Sequence, residues 1–186
     1  MLRTSRCPES KTLATSIVFN STFWVTLWRG LFLPSSVIYV EGETDQQYLD
    51  RRCALRFAGR NVVVVRSGGD PKQKLHSLRE TLGDLQKSPL RDRLFVVVDS
   101  VHAKGLQAEL VQMGLPPDNF IVWTRNGIEY VYPPQVMTRV FRCSEEQLAT
   151  LTFKEDVVCL NGIELRKREL CQEVVRSLDP STVYPA

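Results

Sequence analysis

Four acidic residues follow predicted strands at positions that could bring their carboxylates together. Glu41 ends an apolar strand pattern, and Asp45 lies in the first turn of the helix predicted after it. Asp99 directly follows another strand pattern, and Glu129 lies in the segment after a further one. Clustered carboxylates repel one another, and a bound divalent cation is the least costly way to relieve that repulsion. Oxygen ligands without His or Cys favour Mg²⁺ or Mn²⁺, so the pattern predicts a site for one of these ions.

The segments that would position these residues alternate between strand and helix patterns. Short β-branched runs predict strands, and apolar residues three or four apart predict helices. The strands are apolar on both faces, which is typical of a parallel α/β sheet covered by helices on both faces. Such sheets bind ligands beyond the carboxyl ends of their strands, where the acidic residues lie. The predicted strands are 36–40, 61–65, 94–98 and 120–123, and the predicted helices are 44–57, 72–86, 104–113, a short one opened by a capping box at 144–147, and 164–178.

Each acidic residue also has an ordinary explanation. Asp45 could be a helix N-terminal charge favoured by the helix dipole, and Asp99 could be a turn residue at the end of a strand. Glu129 could be a solvated loop charge. Each explanation is adequate for one residue alone. The shared position at one edge of the predicted sheet favours a joint site.

The composition fits one folded domain preceded by an arm. The chain has 186 residues, of which 43% are hydrophobic and 24% charged, which excludes a disordered chain, a collagen and a multi-pass membrane protein. The net charge of +3 comes entirely from residues 1–40, so the remainder is neutral. A neutral domain has no basic field that would indicate nucleic acid. Any nucleic-acid function must therefore depend on a local site.

The N-terminal arm, residues 1–35, is apolar and basic. Asn20 and Arg29 interrupt its apolar stretch, which matches neither a transmembrane helix of about 20 apolar residues nor a secretory signal. Membrane association is therefore not favoured. Trp24 and Trp28 would share one helical face. Such a face predicts packing against a partner surface, in this chain or in another.

The cysteines predict a reducing compartment. There are 5 cysteines and 2 histidines, and no CxxC pair occurs, so a zinc site is not favoured. Cys53 and Cys171 fall on apolar faces of predicted helices, where buried thiols are expected. An odd number of cysteines without a disulfide framework fits the cytoplasm.

Three acidic motifs resemble those of the Toprim domain. This module is shared by topoisomerases, bacterial primases and the OLD (overcoming lysogenisation defect) nucleases, and the first motif most resembles the OLD type. The resemblance covers about residues 36–178 and implies a Toprim-like, Rossmann-like domain over 36–180. The motifs are Val-Ile-Tyr-Val-Glu41-Gly42-Glu43-Thr44-Asp45, Val-Val-Val-Asp99-Ser100 and Gly127-Ile128-Glu129-Tyr130.

The resemblance implies a Mg²⁺-dependent DNA endonuclease, within a DNA-processing or phage-defence system. In an OLD-type site Glu41 and Asp99 would bind a first ion, and Asp45 and Glu129 would help to bind a second. Two ions clamp the attacking and leaving oxygens of a phosphodiester. Lys167 matches the lysine that OLD-type enzymes carry on the last helix and would stabilise charge on the scissile phosphate. A solvated helix face is the alternative for Lys167.

The chain departs from the family in two ways. Val101 stands where the second motif, DxD, has its second acidic residue. The alternative function is therefore a catalytically degenerate Toprim-like module that binds a partner ATPase or nucleic acid, and an unrelated α/β enzyme or receiver-like domain is a third. The chain also has no G-x-x-x-x-G-K-[ST] motif, so no ATP site is expected. An OLD-type ATPase domain or subunit could bind through the arm, and a homodimer is a further expectation.

Overall fold

A parallel four-stranded sheet forms the centre of the domain. The computed structural model describes residues 34–68, 85–100, 105–123 and 127–184, together with the single residues 73, 76, 80, 103 and 125. The sheet order is β2-β1-β3-β4, and all three pairings are parallel. The strands are β1 (Ser36–Val40), β2 (Val62–Arg66), β3 (Leu94–Val98) and β4 (Phe120–Val122). The predicted α/β fold with about four parallel strands is confirmed.

The register places the carboxyl ends of the strands at one edge of the sheet. Val40 of β1 pairs with Val97 of β3, and Val98 pairs with Val122 of β4. The residues that follow β1 and β3, Glu41 and Asp99, therefore lie on neighbouring strands at the same edge.

Apolar clusters cover both faces of this sheet, as predicted from its continuously apolar strands. On one face, α1 (Glu43–Arg56), α3 (Pro134–Phe141) and α5 (Lys167–Ser177) pack on the sheet through residues such as Tyr48, Phe141 and Leu170. On the other face, α2 (Leu106–Gln112) contributes Leu106 and Leu110. The sheet edge with its carboxylates is thus held between two apolar layers.

A second sheet was not predicted. Strands β5 (Thr152–Lys154), β6 (Val157–Leu160) and β7 (Ile163–Arg166) form an antiparallel meander in the order β5-β6-β7. The last helix was predicted from Glu164 and begins instead at Lys167, because residues 163–166 pair with β6. Asn161 and Gly162, both at positive φ, form the two-residue turn that favours a hairpin. The Asn161-Gly162 dipeptide was the sequence signal that could have predicted this hairpin.

The other boundaries agree with prediction within two residues where the structure describes them. The predicted helices 44–57 and 104–113 are observed at Glu43–Arg56 and Leu106–Gln112. The capping box is present at α4 (Glu145–Leu148), where the Ser144 Oγ accepts the Gln147 N–H and the Gln147 side chain accepts the Ser144 N–H. Most of the predicted helix 72–86 lies outside the described residues.

Two further predictions concern the arm and the cysteines. The arm, 1–35, lies outside the described residues except for its last two positions, and so do Trp24 and Trp28. Cys53 and Cys171 are buried, and all four cysteines of the described segments are free thiols. Across those same segments, no helix has the length and apolarity needed to cross a membrane.

Candidate metal site at the carboxyl edge of the sheet

The carboxylate of Glu41 reaches from β1 to the neighbouring strand. Its Oε2 accepts a hydrogen bond from the backbone N–H of Asp99 at 3.1 Å. In the parallel register of β1 and β3, Val40 pairs with Val97, so Asp99 lies one residue beyond the position level with Glu41. The sequence prediction that Glu41 and Asp99 meet is therefore consistent with the described geometry.

Asp99 in turn holds the loop that carries Glu129. Asp99 Oδ1 accepts a hydrogen bond from the N–H of Gly127 at 3.2 Å. Gly127 has φ 117° and ψ 147°, a conformation that is essentially restricted to glycine. A Cβ at this position would also overlap Glu129 Oε2. Gly127 is needed both for its backbone conformation and for the close approach of the carboxylate.

Asp45 folds back onto the start of its helix. Its Oδ2 accepts a hydrogen bond from the N–H of Gly42 at 3.1 Å. A Cβ on Gly42 would lie 2.6 Å from the same oxygen, so a larger residue would displace the carboxylate. Gly42 therefore allows Asp45 to approach the segment that follows β1.

Burial and mutual repulsion act on Asp45. Burial, followed by the negative charge of Asp99, raises the pKa of Asp45, and the Gly42 N–H and the Trp123 side chain partly oppose that rise. The effect of Asp99 means that the two carboxylates are close enough to interact. A cation between them would relieve this repulsion.

Glu129 is the most deeply buried of the four carboxylates. It is 5% exposed, and its Oε2 has no hydrogen-bond partner in the described part of the chain. Burial raises the pKa of Glu129, its own backbone N–H and the Lys167 ammonium lower it, and the charge of Asp45 raises it. A buried carboxylate oxygen without a partner is a costly feature, and a bound cation would satisfy it.

Lys167 lies against this buried carboxylate. Its Nζ is 3.7 Å from Glu129 Oε1, and its side chain is 29% exposed. The residue begins α5, where its N–H donates to the carbonyl of Asp156 at 2.8 Å. Lys167 is therefore placed by the turn from β7 into α5, and it is partly buried rather than on a fully solvated helix face.

Arginines at the rim of the site were not singled out in the sequence. Glu43 pairs with Arg168 of α5 at 3.2 Å and with Arg66, the last residue of β2, at 3.8 Å. Both arginines are about half exposed or more, with side-chain exposures of 65% and 48%. The sequence signals for these arginines were the basic run 166–168 and the basic residue that ends β2. Arg66 and Arg168, together with Lys167, place positive charge beside the carboxylates.

The four carboxylates are not arranged as a complete coordination shell. Within the described segments, no group of three or more His, Cys, Asp or Glu side chains is positioned to hold a metal ion. Backbone N–H groups and Lys167 interact with the carboxylates instead. The donor chemistry nevertheless fits Mg²⁺ or Mn²⁺, because the available ligands are carboxylate oxygens and one of them is buried without a partner. Val101 and His102 lie outside the described residues.

Comparisons with protein-family models, with curated proteins and with solved structures found no significant match to this chain. The basis for a functional inference is therefore the chemistry of the carboxylates and their neighbours, together with the resemblance of their motifs.

Proposed function

We propose that the chain is a Mg²⁺-dependent DNA endonuclease of the OLD Toprim type, with Mn²⁺ as an alternative ion. One observation carries the proposal. Carboxylates from the ends of β1 and β3 and from the loop after β4 are linked at one sheet edge, through Glu41 to Asp99 and through Asp99 to Gly127, with Lys167 beside Glu129. This is where a parallel α/β sheet binds its ligands.

The resemblance assigns the four carboxylates to two ions. Glu41 and Asp99, joined through a backbone hydrogen bond, would hold the first ion. Asp45 and Glu129, coupled electrostatically to each other, would help to hold a second. A bound divalent ion supplies charge neutralisation at the attacking and leaving oxygens of the phosphodiester.

The side chains of the protein would bind and orient the DNA backbone. Lys167 is a partly buried ammonium at the site, and it would stabilise negative charge on the scissile phosphate. Arg66 and Arg168 are exposed at the rim, where they would bind flanking phosphates. The domain is neutral overall, but these side chains place positive charge at the site itself.

A nicking assay tests the proposal. Supercoiled plasmid is incubated with the full chain and Mg²⁺ or Mn²⁺, with and without an OLD-type ATPase. We expect nicking that needs the metal and is lost in Glu41→Gln. The matched control is Glu146→Gln, a glutamate exposed on α4 and outside the site, which should retain full activity. Absence of cleavage under all of these conditions would refute the nuclease function.

A partner-binding module is the second candidate function. An apolar cleft of about 430 Å³ on one face of the sheet favours it, with Ile38, Phe95, Ile121 and Trp123 among its lining residues. Val101, where the family has an acidic residue, also favours it. Val101→Asp separates the candidates through Mn²⁺ affinity. A gain would indicate a decayed metal site, whereas no change would indicate that the site never assembled.

The remaining parts of the proposal concern partners and compartment. DNA is the proposed substrate, and an OLD-type ATPase domain or subunit is the proposed protein partner, binding through the arm 1–35. A homodimer is also proposed. We assign the chain to the cytoplasm, which is supported by the free thiols of the described cysteines.

A further inference from the structure

Glu129 also forms part of the wall of a separate pocket. This pocket has a volume of about 330 Å³, at the lower end of the range for small-molecule sites. Its lining is mainly aromatic and apolar, with Arg125 at its margin, and includes Tyr130, Tyr132, Met137, Leu148 and Phe153. The shared Glu129 places the pocket next to the carboxylate site.

Two aromatic rings form a platform in this pocket. The ring centroids of Tyr130 and Phe153 are 4.4 Å apart, with an interplanar angle of 47°. Tyr130 is 39% exposed, and the Arg125 guanidinium lies 5.2 Å from its ring centroid. An exposed aromatic ring beside a guanidinium is a combination with which proteins stack unpaired bases and contact the adjoining phosphate.

Tyr132 forms the inner wall of the pocket. It is 3% exposed, its ring packs on Tyr48 with the centroids 4.9 Å apart, and the Cys171 thiol lies beside its hydroxyl. The groups that a ligand can reach are therefore Tyr130, which is partly exposed, and Arg125, which is exposed.

We propose that this pocket binds one unpaired base of a DNA strand, with the adjoining phosphate at the carboxylate site. The inference rests on the proposed nuclease function and specifies its substrate class. The pocket volume suits a single base, and a base within a duplex is not available to enter it. The substrate is therefore single-stranded DNA, or a duplex with an unpaired end or flap.

Binding without cleavage tests this inference separately from the nuclease function. The full chain in Ca²⁺, a cation that oxygen ligands bind and that would neutralise the carboxylates, is titrated with a single strand of about twelve nucleotides that carries 2-aminopurine, and with the same sequence as a blunt duplex. Tyr130→Ala should weaken single-strand binding about tenfold, because one base–aromatic stack is lost. Tyr130→Phe keeps the ring and should bind like the wild type. Val183→Ala removes part of an apolar side chain that is 69% exposed and lies outside the pocket, and it should have no effect.

The outcomes separate the two proposals. Selective loss of single-strand affinity in Tyr130→Ala, with 2-aminopurine fluorescence quenched by the wild type, supports the base pocket even if no cleavage is seen. Equal affinity of Tyr130→Ala and wild type, or equal weakening by Val183→Ala, overturns the base pocket even if plasmid is nicked. Weakening of the duplex to the same degree also overturns it. Far-ultraviolet circular dichroism of each variant shows that any loss is not a loss of fold.

Discussion

Gly127→Ala tests whether the carboxylates depend on one backbone position. Gly127 has φ 117° and ψ 147°, where a residue with a Cβ is strained by about 1–3 kcal/mol. The added Cβ would also overlap Glu129 Oε2, so the Glu129 side chain, which pairs with Lys167, must shift. We expect the free energy of unfolding to fall by about 2–4 kcal/mol. For a chain of this size, Tm should fall by about 5–15 °C.

Gly162→Ala is the matched control for this substitution. Gly162 also has a positive φ, 76°, but a Cβ there would meet nothing within 4 Å. It therefore measures backbone strain alone, about 1–2 kcal/mol. Unfolding in urea gives the stability of both variants, and Mn²⁺ titration calorimetry gives their metal affinity. Gly127→Ala should lose Mn²⁺ binding, and Gly162→Ala should keep it. Equal stability and equal metal affinity in the two variants would refute the role given to Gly127.

Three further predictions address single groups. Asp45→Asn should raise Tm at pH values above the raised pKa of Asp45, because wild-type stability is lost as pH rises from the ordinary carboxyl value through that raised pKa. The gain should vanish as pH approaches the ordinary carboxyl value of 3.8, and a gain independent of pH in thermal melts would contradict the assignment. Lys167→Met leaves the buried Glu129 carboxylate without its cation and should lower the free energy of unfolding, measured in urea, by about 1–3 kcal/mol. Lys167→Arg should recover part of that loss. Equal stability of the wild type and both variants would contradict the pairing. Ser144→Ala removes the N-cap oxygen of α4 and should cost about 0.5–1 kcal/mol in the same measurement, and a loss above that range would mean that the residue does more than cap the helix.

The central sheet was predictable because its strands are apolar on both faces. That pattern is stronger than any other in the chain, and the bounds that it predicted for β1 and β3 are those observed. The second sheet was missed because β7, Ile163–Arg166, is short and leads directly into a helix. The alternating burial of β7 depends on its pairing with β6. A local sequence pattern that resembles a helix contains no information about that pairing. Tertiary pairing overrode local propensity there.

The placement of the acidic residues at one edge of the sheet was predictable, but their contacts were not. Strand-end placement alone was enough to bring Glu41 and Asp99 together, since parallel strands end at a common edge. The burial of Glu129 was not predictable, because it depends on Gly127 and on α5 approaching from a distant part of the chain. The rim arginines were also missed because their proximity depends on distant parts of the chain. Arg66 and Arg168 both pair with Glu43.

Backbone N–H groups act as counter-charges to two carboxylates of the candidate site. The N–H of Asp99 binds Glu41, and the N–H of Gly127 binds Asp99. A hydrogen bond to a charged group contributes about 1.5–3 kcal/mol, so each bond holds its carboxylate in place. A carboxylate has about four acceptor positions, so accepting one N–H does not prevent it from ligating a metal. Glu129 is held by its own backbone N–H and by the Lys167 ammonium, while its buried Oε2 has no hydrogen-bond partner among the described residues. A divalent ion bound at this edge of the sheet would supply the partner that this oxygen lacks.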